Sequence, residues 1–333
     1  MEGKKQVVEE VPGELKLFSD GSVERTPLPI PLVHPIPPSN HTFIDGVATK
    51  DVPLNEATGV WARIYLPEKE TEEKLPLVIH FHGGGFCVSH VDWRMYYYFY
   101  SRLARELQVV VVSVDYRLAP EHRLPAACLD CVAAVEWIRT LAEMKEEKEP
   151  WITENVDFRR CFLMGESAGA NLAHQTALAY ATEESFNPLS LCGCILIHPG
   201  FLRNERSKSE TETVPKTPFI TVEKIDGFLK LALPEGSTKD HPIINPTGPQ
   251  AQPLHGLKLP KMLVAIADGD LMRDTQMEFC QAMINSGQSV EVIVSENVEH
   301  YFHVNEFAIA EDAQVAAQAS NLVAAIDRFS KAC

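Results

Sequence analysis

The sequence predicts an α/β fold with a mostly parallel central sheet and helices on both of its faces. Short, continuously apolar segments rich in Val and Ile recur along the chain, and stretches of helical periodicity lie between most of them. Strands buried on both faces are continuously apolar, and alternation with helices makes neighbouring strands parallel. The 333 residues, of which 45% are hydrophobic, also suffice for one large core.

The apolar segments give the strand predictions in order. After a first strand over residues 60–66, strands are predicted at 77–82, 109–114, 161–164, 192–198, 262–267 and 290–294. Helices are predicted at about 93–106, 125–147, 168–182, 273–287 and 306–331.

The residues before this alternation differ in character. Residues 15–18 and 23–25 flank a Ser-Asp-Gly-Ser turn, which predicts a hairpin. Six prolines then lie between Pro27 and Pro38, and they predict an extended course without regular structure.

One connection is far longer than the others. More than 60 residues separate the strand ending near His198 from the strand starting near Met262. Insertions at the carboxyl ends of parallel strands commonly build lids and substrate pockets. We therefore predict one domain over residues 1–333 with a cap insertion at about 200–240.

Composition excludes several classes of function. The 30 basic and 46 acidic residues give a net charge of −16, which repels phosphate backbones and argues against a nucleic-acid partner. No apolar run approaches the roughly 20 residues of a membrane span, and no apolar signal core follows the first residues. We expect a cytoplasmic, or also nuclear, protein. The lone C-x-x-C, Cys128 and Cys131, lacks a second pair of ligands, so no zinc site is predicted.

The first motif with chemical meaning contains a serine. Residues 165–169 read G-E-S-A-G between the strand at 161–164 and the helix starting at 168. A strand-to-helix elbow of this kind presents the serine hydroxyl at the sheet edge above a helix N-terminus. This context favours Ser167 as a nucleophile over a serine that only caps a helix.

The second motif, His82-Gly83-Gly84-Gly85, follows the strand at 77–82. Acyl transfer needs N–H donors aimed at the oxygen that becomes negative, and glycines allow backbone N–H groups to turn inward. We predict an oxyanion hole formed by the N–H groups of Gly83, Gly84 and Ala168. A phosphate-binding loop is the alternative, but its G-x-x-x-x-G-K-S/T pattern is missing. His80 and His82 lack a third metal ligand, and His82 is expected to brace the loop.

An acid and a base must follow the serine, in that order. Asp268, Asp270 and Asp274 follow the strand at 262–267. Asp274 lies where the next helix begins, so we expect it to cap that helix. Spacing alone does not separate Asp268 from Asp270.

Only two histidines come after these acids. His300 is the first in the loop after the strand at 290–294 and is the better placed as the base, whereas His303 lies among apolar residues and is expected to pack. His198 precedes the acids and is excluded by chain order. His174 is expected to be a core residue.

Together these motifs resemble the hormone-sensitive-lipase branch of the α/β-hydrolases, and within it the plant class-I carboxylesterases. The matching segments are residues 82–87 (HGGGFC), 115–127 (DYRLAPEHRLPAA), 165–171 (GESAGAN), 270–274 (DLMRD) and 300–303 (HYFH).

The resemblance implies an α/β-hydrolase fold and hydrolysis of small to medium carboxylic esters without a cofactor or metal. It implies that Asp270 is the acid and His300 the base, and that residues 1–50 form an N-terminal lid. The segment 115–127 is expected to be structural, with its Arg and Glu bracing the sheet edge near the catalytic loops, and a pocket role for Tyr116 is the alternative. The expected partner is a small-molecule ester, and the expected state a monomer or homodimer. The candidate pocket residues are aromatic: Phe86, Trp93, Tyr97, Phe201, Phe219, Phe228 and Tyr301, of which Tyr301 is expected to narrow the pocket.

Two other functions are open to a chain of this kind. Relatives use the same triad for dehydration or cyclisation of plant specialised metabolites, often with an altered hole or serine, and both are intact here. The gibberellin receptors resemble the same fold but lack histidine at the base position, which His300 fills. Ester hydrolysis is therefore the favoured hypothesis.

Overall fold

The computed structural model describes residues 5–26, 31–69, 71–143, 148–181, 187–217 and 219–333. The strands of this described chain are β1 (Val7–Val11), β2 (Leu15–Phe18), β3 (Val23–Arg25), β4 (Val47–Asn55), β5 (Val60–Pro67), β6 (Leu75–Phe81), β7 (Val110–Asp115), β8 (Val156–Glu166), β9 (Leu191–Ile197), β10 (Lys261–Ala267) and β11 (Val290–Ser295). Its α-helices are α1 (Arg94–Leu107), α2 (Ala126–Glu143), α3 (Pro150–Thr153), α4 (Ala168–Ala181), α5 (Lys208–Glu212), α6 (Val222–Ala232), α7 (Arg273–Asn285), α8 (Glu306–Glu311) and α9 (Ala313–Ala332).

Eight strands of the described chain form one central sheet in the order β4-β5-β7-β6-β8-β9-β10-β11. The six strands from β7 to β11 are parallel to one another, while β5 runs antiparallel to both β4 and β7. This confirms the mostly parallel sheet and each strand predicted from the apolar segments. Because the parallel strands share a direction, their carboxyl ends, and the loops that follow them, meet at one edge.

Two hydrophobic cores lie on opposite faces of the sheet. Consecutive residues of β6, such as Leu77 and Val78, belong to different cores, as the two-residue repeat of a strand requires. Helices α2, α4 and α7 pack into one core, and α1 and α9 into the other. The prediction of helices on both faces is confirmed.

The strand β4 was not predicted, and the last helix was predicted as one. β4 lies at the sheet edge and contains Pro53 and the polar run Thr49-Lys50-Asp51, so it lacks the apolar signal of its neighbours. The predicted helix over 306–331 is divided at Asp312, which is extended (φ −120°) and accepts hydrogen bonds from the N–H groups of Gln314 and Val315. Asp is a favoured N-cap residue, so the chain starts a new helix there.

The N-terminal residues form a small sheet of their own. The predicted hairpin is present as β2 and β3, and β1 adds a third strand to it. Glu14 accepts a hydrogen bond from Lys224 Nζ (2.7 Å) on α6, and Arg25 donates to the backbone carbonyl of Cys87 (2.7 Å). In the proline-rich segment, residues 27–30 lie outside the described residues.

The rest of the proline-rich segment follows the predicted irregular course except for one turn of helix. Pro31–Val33 forms a 3₁₀ turn whose Leu32 and Val33 are buried. Proline fixes φ near the value that a 3₁₀ turn uses, so this turn is compatible with its sequence.

Candidate active site

Ser167 lies at the elbow between β8 and α4 in a strained backbone conformation. Its φ is +53°, in the left-handed region that non-glycine residues rarely adopt. Its N–H donates to the carbonyl of Ile197 (3.0 Å), and its carbonyl accepts from Gly200 (3.1 Å). A Cβ at Gly169 would lie 1.9 Å from the carbonyl oxygen of Phe81, so this glycine lets α4 begin directly against β6. The hydroxyl is thereby held at the carboxyl edge of the sheet.

Asp270 and His300 meet at the same edge. His300 Nδ1 lies 2.7 Å from Asp270 Oδ2, although 30 residues separate them in sequence. The other nitrogen, His300 Nε2, is buried and has no partner in the described part of the chain. Asp270 also accepts the N–H of Met272 (2.9 Å) and the amide of Gln276 (2.9 Å). An imidazole fixed at Nδ1 and unbonded at Nε2 is the arrangement of a general base.

The pKa of Asp270 follows from this environment. Burial raises it, but the electrostatic interaction and the hydrogen bond with His300 outweigh the burial, so the pKa lies below its ordinary value. Asp270 therefore remains ionised and can stabilise a protonated His300.

The other two acids in this loop, Asp268 and Asp274, make different contacts. The carbonyl oxygen of Asp268 accepts a hydrogen bond from Arg273 Nη1 (3.1 Å). Asp274 was expected to cap its own helix, and this expectation is wrong. Met272 holds that N-cap position, and Asp274 Oδ2 instead accepts the N–H of Ser209 (2.8 Å) at the start of α5. Asp274 thus ties α7 to the connection between β9 and β10.

The remaining histidines lie in the positions that the sequence suggested. His174 packs edge-on against Phe201 and Phe279 (ring centroids 5.6 and 5.2 Å), and burial lowers its pKa to about 4. Burial likewise lowers the pKa of His303 well below its ordinary value. His82 Nδ1 lies 2.7 Å from the Gly83 carbonyl, and the His82 ring stacks on Tyr116 at 4.2 Å.

The glycine loop differs from the prediction at its first glycine. The N–H of Gly83 donates to Oε1 of the buried Glu166 carboxylate (2.8 Å), and this charged oxygen would lose a partner if the N–H turned to an oxyanion, so the prediction of Gly83 as a donor is wrong. The N–H of Gly84 donates to the Tyr301 hydroxyl (2.9 Å). Within the described chain, the N–H groups of Ala168 and Gly85 have no hydrogen-bond acceptor.

The group that anchors this loop, Glu166, is not among the residues predicted from the sequence. The Glu166 carboxylate is fully buried. In addition to the Gly83 N–H, it accepts a hydrogen bond from the Tyr100 hydroxyl (2.7 Å) and lies 2.9 Å from His80 Nε2. Burial raises the pKa of Glu166, but the electrostatic interaction with His80 and these hydrogen bonds outweigh burial and lower it. A charged residue in the middle of an otherwise small and apolar elbow was the available signal.

Segment 115–127 is structural, as expected. The Tyr116 hydroxyl donates to the His82 carbonyl (2.7 Å), and Arg117 forms an ion pair with Asp130 (2.7 Å). Glu121 accepts both terminal nitrogens of Arg25 (2.8 and 2.6 Å). The segment therefore braces the glycine loop and holds the N-terminal sheet.

A cavity of about 300 Å³ opens over Ser167 and His300. The predicted aromatics that line it are Phe86, Trp93, Phe219, Phe228 and Tyr301. Two others do not: Phe201 packs on Phe279 (4.4 Å) in the core, and Tyr97 packs on Tyr65 (6.4 Å). Leu32 and Val33 from the N-terminal segment also line the cavity, as do Lys224 and Ile225 of α6.

The described residues contain no group of three or more His, Cys, Asp or Glu side chains arranged to hold a metal ion. None of the described helices is both long and apolar enough to cross a membrane.

Comparison with known proteins agrees with this geometry. A family model described as the alpha/beta hydrolase fold matches residues 78–304. The chain is 37% identical to a probable carboxylesterase 6 of Arabidopsis thaliana, over 90% of this chain and 85% of that protein. It is 34% identical to a 2-hydroxyisoflavanone dehydratase of Glycyrrhiza echinata, over 90% and 91% of the two chains. Among solved structures, an esterase of Pyrobaculum calidifontis matches with a TM-score of 0.69 and 27% identity, over 85% and 84% of the two chains. The chain therefore belongs to the α/β-hydrolase family, in its plant carboxylesterase branch.

Proposed function

We propose that the protein is a serine carboxylesterase that hydrolyses small to medium carboxylic esters through an acyl-enzyme on Ser167. The main support is one observation: His300, fixed by Asp270 at Nδ1 and without a protein partner at Nε2, lines the same cavity as Ser167. The carboxylesterase and esterase relatives support the same reaction.

In the proposed mechanism, His300 Nε2 removes the Ser167 proton while the serine oxygen bonds to the ester carbonyl carbon. The carbonyl oxygen becomes negative and accepts hydrogen bonds from Gly84 and Ala168, with the N–H of Gly85 as a further candidate donor. The intermediate expels the alcohol, which takes the proton from His300. A water molecule then repeats the sequence on the acyl-enzyme, releases the acid and restores Ser167. Asp270 stabilises the imidazolium in both halves, and no step requires a metal or cofactor.

The cavity supports esters of modest size. Its volume is at the lower end for a small-molecule site, and most of its wall is apolar. The N-terminal segment contributes Leu32 and Val33, and the 200–240 region contributes Phe219 and Phe228. We infer that these two parts of the single domain act as the lid and the cap over the ester.

The test is covalent labelling of the serine, combined with turnover. An organophosphate should modify Ser167, found by peptide mass mapping, and Ser167→Ala should lower p-nitrophenyl ester turnover by roughly 10⁵- to 10⁶-fold. Ser89 lines the same cavity but donates its hydroxyl to Tyr96 (3.0 Å), so its peptide is the internal control and should remain unlabelled. Label on Ser89 alone, or full turnover by Ser167→Ala, would contradict the proposal.

A dehydratase is the second candidate, because one relative that matches 90% of this chain is named for that activity. In an elimination, His300 would take a proton from the carbon next to a carbonyl, and Ser167 would form no covalent bond. Ser167→Ala therefore separates the two functions: it abolishes esterase turnover but leaves elimination of water from a β-hydroxy ketone measurable.

A further inference from the structure

Tyr301 occupies an unusual position immediately after the proposed base. Its φ is +65°, in the left-handed region, at the start of the 3₁₀ turn Phe302–Val304. A bulky residue in this region costs energy, and such residues are concentrated at functional sites. The Tyr301 ring meets the His300 ring edge-on, with centroids 4.6 Å apart. This backbone conformation and this packing direct the phenol towards the glycine loop.

The Tyr301 hydroxyl lies where the substrate oxygen of the proposed mechanism would lie. It accepts the N–H of Gly84 (2.9 Å) and also interacts with the Ser167 side chain. A Cβ at Gly83 would be only 1.8 Å from the phenolic oxygen, so glycine at this position admits the hydroxyl. The phenolic oxygen is thus beside the nucleophile and on a donor of the oxyanion hole.

We propose that the Tyr301 hydroxyl fills the oxyanion hole of the free protein and that the carbonyl oxygen of the ester has to displace it. Two oxygens cannot occupy one position on the Gly84 N–H, so binding of the carbonyl breaks the bond to Tyr301. Tyr301 therefore weakens substrate binding without taking part in the chemical step. This inference rests on the proposed esterase function.

The change Tyr301→Phe tests the inference, because it keeps the ring against His300 and removes only the hydroxyl. A contact present only in the free enzyme is lost equally on reaching the substrate complex and the transition state. The variant should therefore lower KM by about 2- to 10-fold, the worth of one neutral hydrogen bond, and leave kcat unchanged. A fall in kcat would mean that the hydroxyl donates a hydrogen bond to the transition state. An unchanged KM would mean that the hydroxyl does not compete with the substrate. Either result would overturn the proposal.

The matched control is Tyr180→Phe. The Tyr180 hydroxyl is hydrogen-bonded too, as a donor to Glu136 (3.0 Å), but Tyr180 lies near the far end of α4, where its backbone is about 20 Å from that of Ser167 by the helical rise per residue. This variant should have the KM and kcat of the wild-type protein. A shift equal to that of Tyr301→Phe would also count against the proposal, because it would show a general effect of losing a phenol.

Amide hydrogen exchange gives a readout that does not depend on turnover. With ¹⁵N-glycine labelling, the Gly84 N–H should exchange faster in Tyr301→Phe than in the wild-type protein. The neighbouring Gly83 N–H, bonded to Glu166, should exchange at the same rate in both. If the wild-type protein shows no ester turnover and no label on Ser167, the proposed function fails, whereas equal Gly84 exchange in both proteins refutes the position of the hydroxyl itself.

Discussion

Replacement of Glu166 by Gln tests whether a buried carboxylate holds the oxyanion loop in place. Glu166 is fully buried, and its two oxygens interact with Gly83 (2.8 Å), Tyr100 (2.7 Å) and His80 (2.9 Å). Gln has the same shape, but one of its two terminal groups is an NH₂ that cannot accept a hydrogen bond. The variant therefore keeps the volume of the side chain and removes its charge.

The size of the effect follows from these contacts. A hydrogen bond to a charged group contributes about 1.5–3 kcal/mol, and Gln can still accept the N–H of Gly83 with its remaining oxygen. His80 Nδ1 lies 2.7 Å from Ser113, so a change of tautomer lets His80 Nε2 accept from the new NH₂ group. One charged bond, to Tyr100, is then lost outright, and we expect Glu166→Gln to lower the free energy of unfolding by about 2–3 kcal/mol.

Activity should fall as well, because Gly83 directly precedes the proposed donor Gly84. Displacement of catalytic groups by about 1 Å costs on the order of 10²-fold in rate, so we expect kcat for a p-nitrophenyl ester to fall by about 10- to 100-fold. Urea unfolding and steady-state kinetics on the same preparation measure both effects.

The control is Glu149→Gln, which removes another buried carboxylate. Glu149 is 7% exposed and pairs with Lys50 on the edge strand β4, away from the cavity. The Glu149→Gln variant should have a lower free energy of unfolding and an unchanged kcat. If Glu166→Gln behaves in the same way, losing stability but retaining kcat, then Glu166 does not position the loop and the reasoning is refuted.

Two further predictions concern the acid and a core histidine. Asp270→Asn should lower kcat by about 10³- to 10⁴-fold, because the asparagine no longer fixes the His300 tautomer. Asp268→Asn should have little effect on kcat. Steady-state kinetics of both variants test this, and a larger loss in Asp268→Asn would identify Asp268 as the acid. The folded pKa of His174 is lowered to about 4, so its contribution to stability is complete above its unfolded pKa of 6.5 and is lost as the pH falls towards 4. His174→Leu should therefore reduce the loss of unfolding free energy between pH 7 and pH 5 by about 2 kcal/mol, measured by urea unfolding at both values, and an identical loss in both proteins would show that His174 is not buried in its neutral form.

Much of the fold could be predicted because burial on both faces of a parallel strand leaves an apolar signal in the sequence. β6, β7 and β10 are buried along almost their whole length and were predicted within a few residues. β4 has one exposed edge and contains Pro53, Lys50 and Asp51, so its pairing with β5 rests on backbone hydrogen bonds, which leave no hydrophobic pattern in the sequence. Hydrophobic patterning therefore does not predict such a strand.

The candidate site divides in the same way. The serine elbow is local, since its strand, its turn and its helix are consecutive in the chain. The acid is not local: Asp268 and Asp270 both follow the end of β10 closely, spacing does not choose between them, and only the family resemblance favoured Asp270. In the structure Asp270, and not Asp268, reaches His300, because the turn after β10 directs its side chain inward.

The sequence by itself therefore determined which segments form the parallel strands along the chain, where the nucleophile elbow lies, and which positions supply an acid and a base. Tertiary structure alone decided how the glycine loop is used. The Gly83 N–H is bound by a residue 83 positions away, and the Gly84 N–H by one 217 positions away. A glycine motif specifies that backbone donors can approach closely, but the acceptors come from other strands and loops, and only the folded chain places them there.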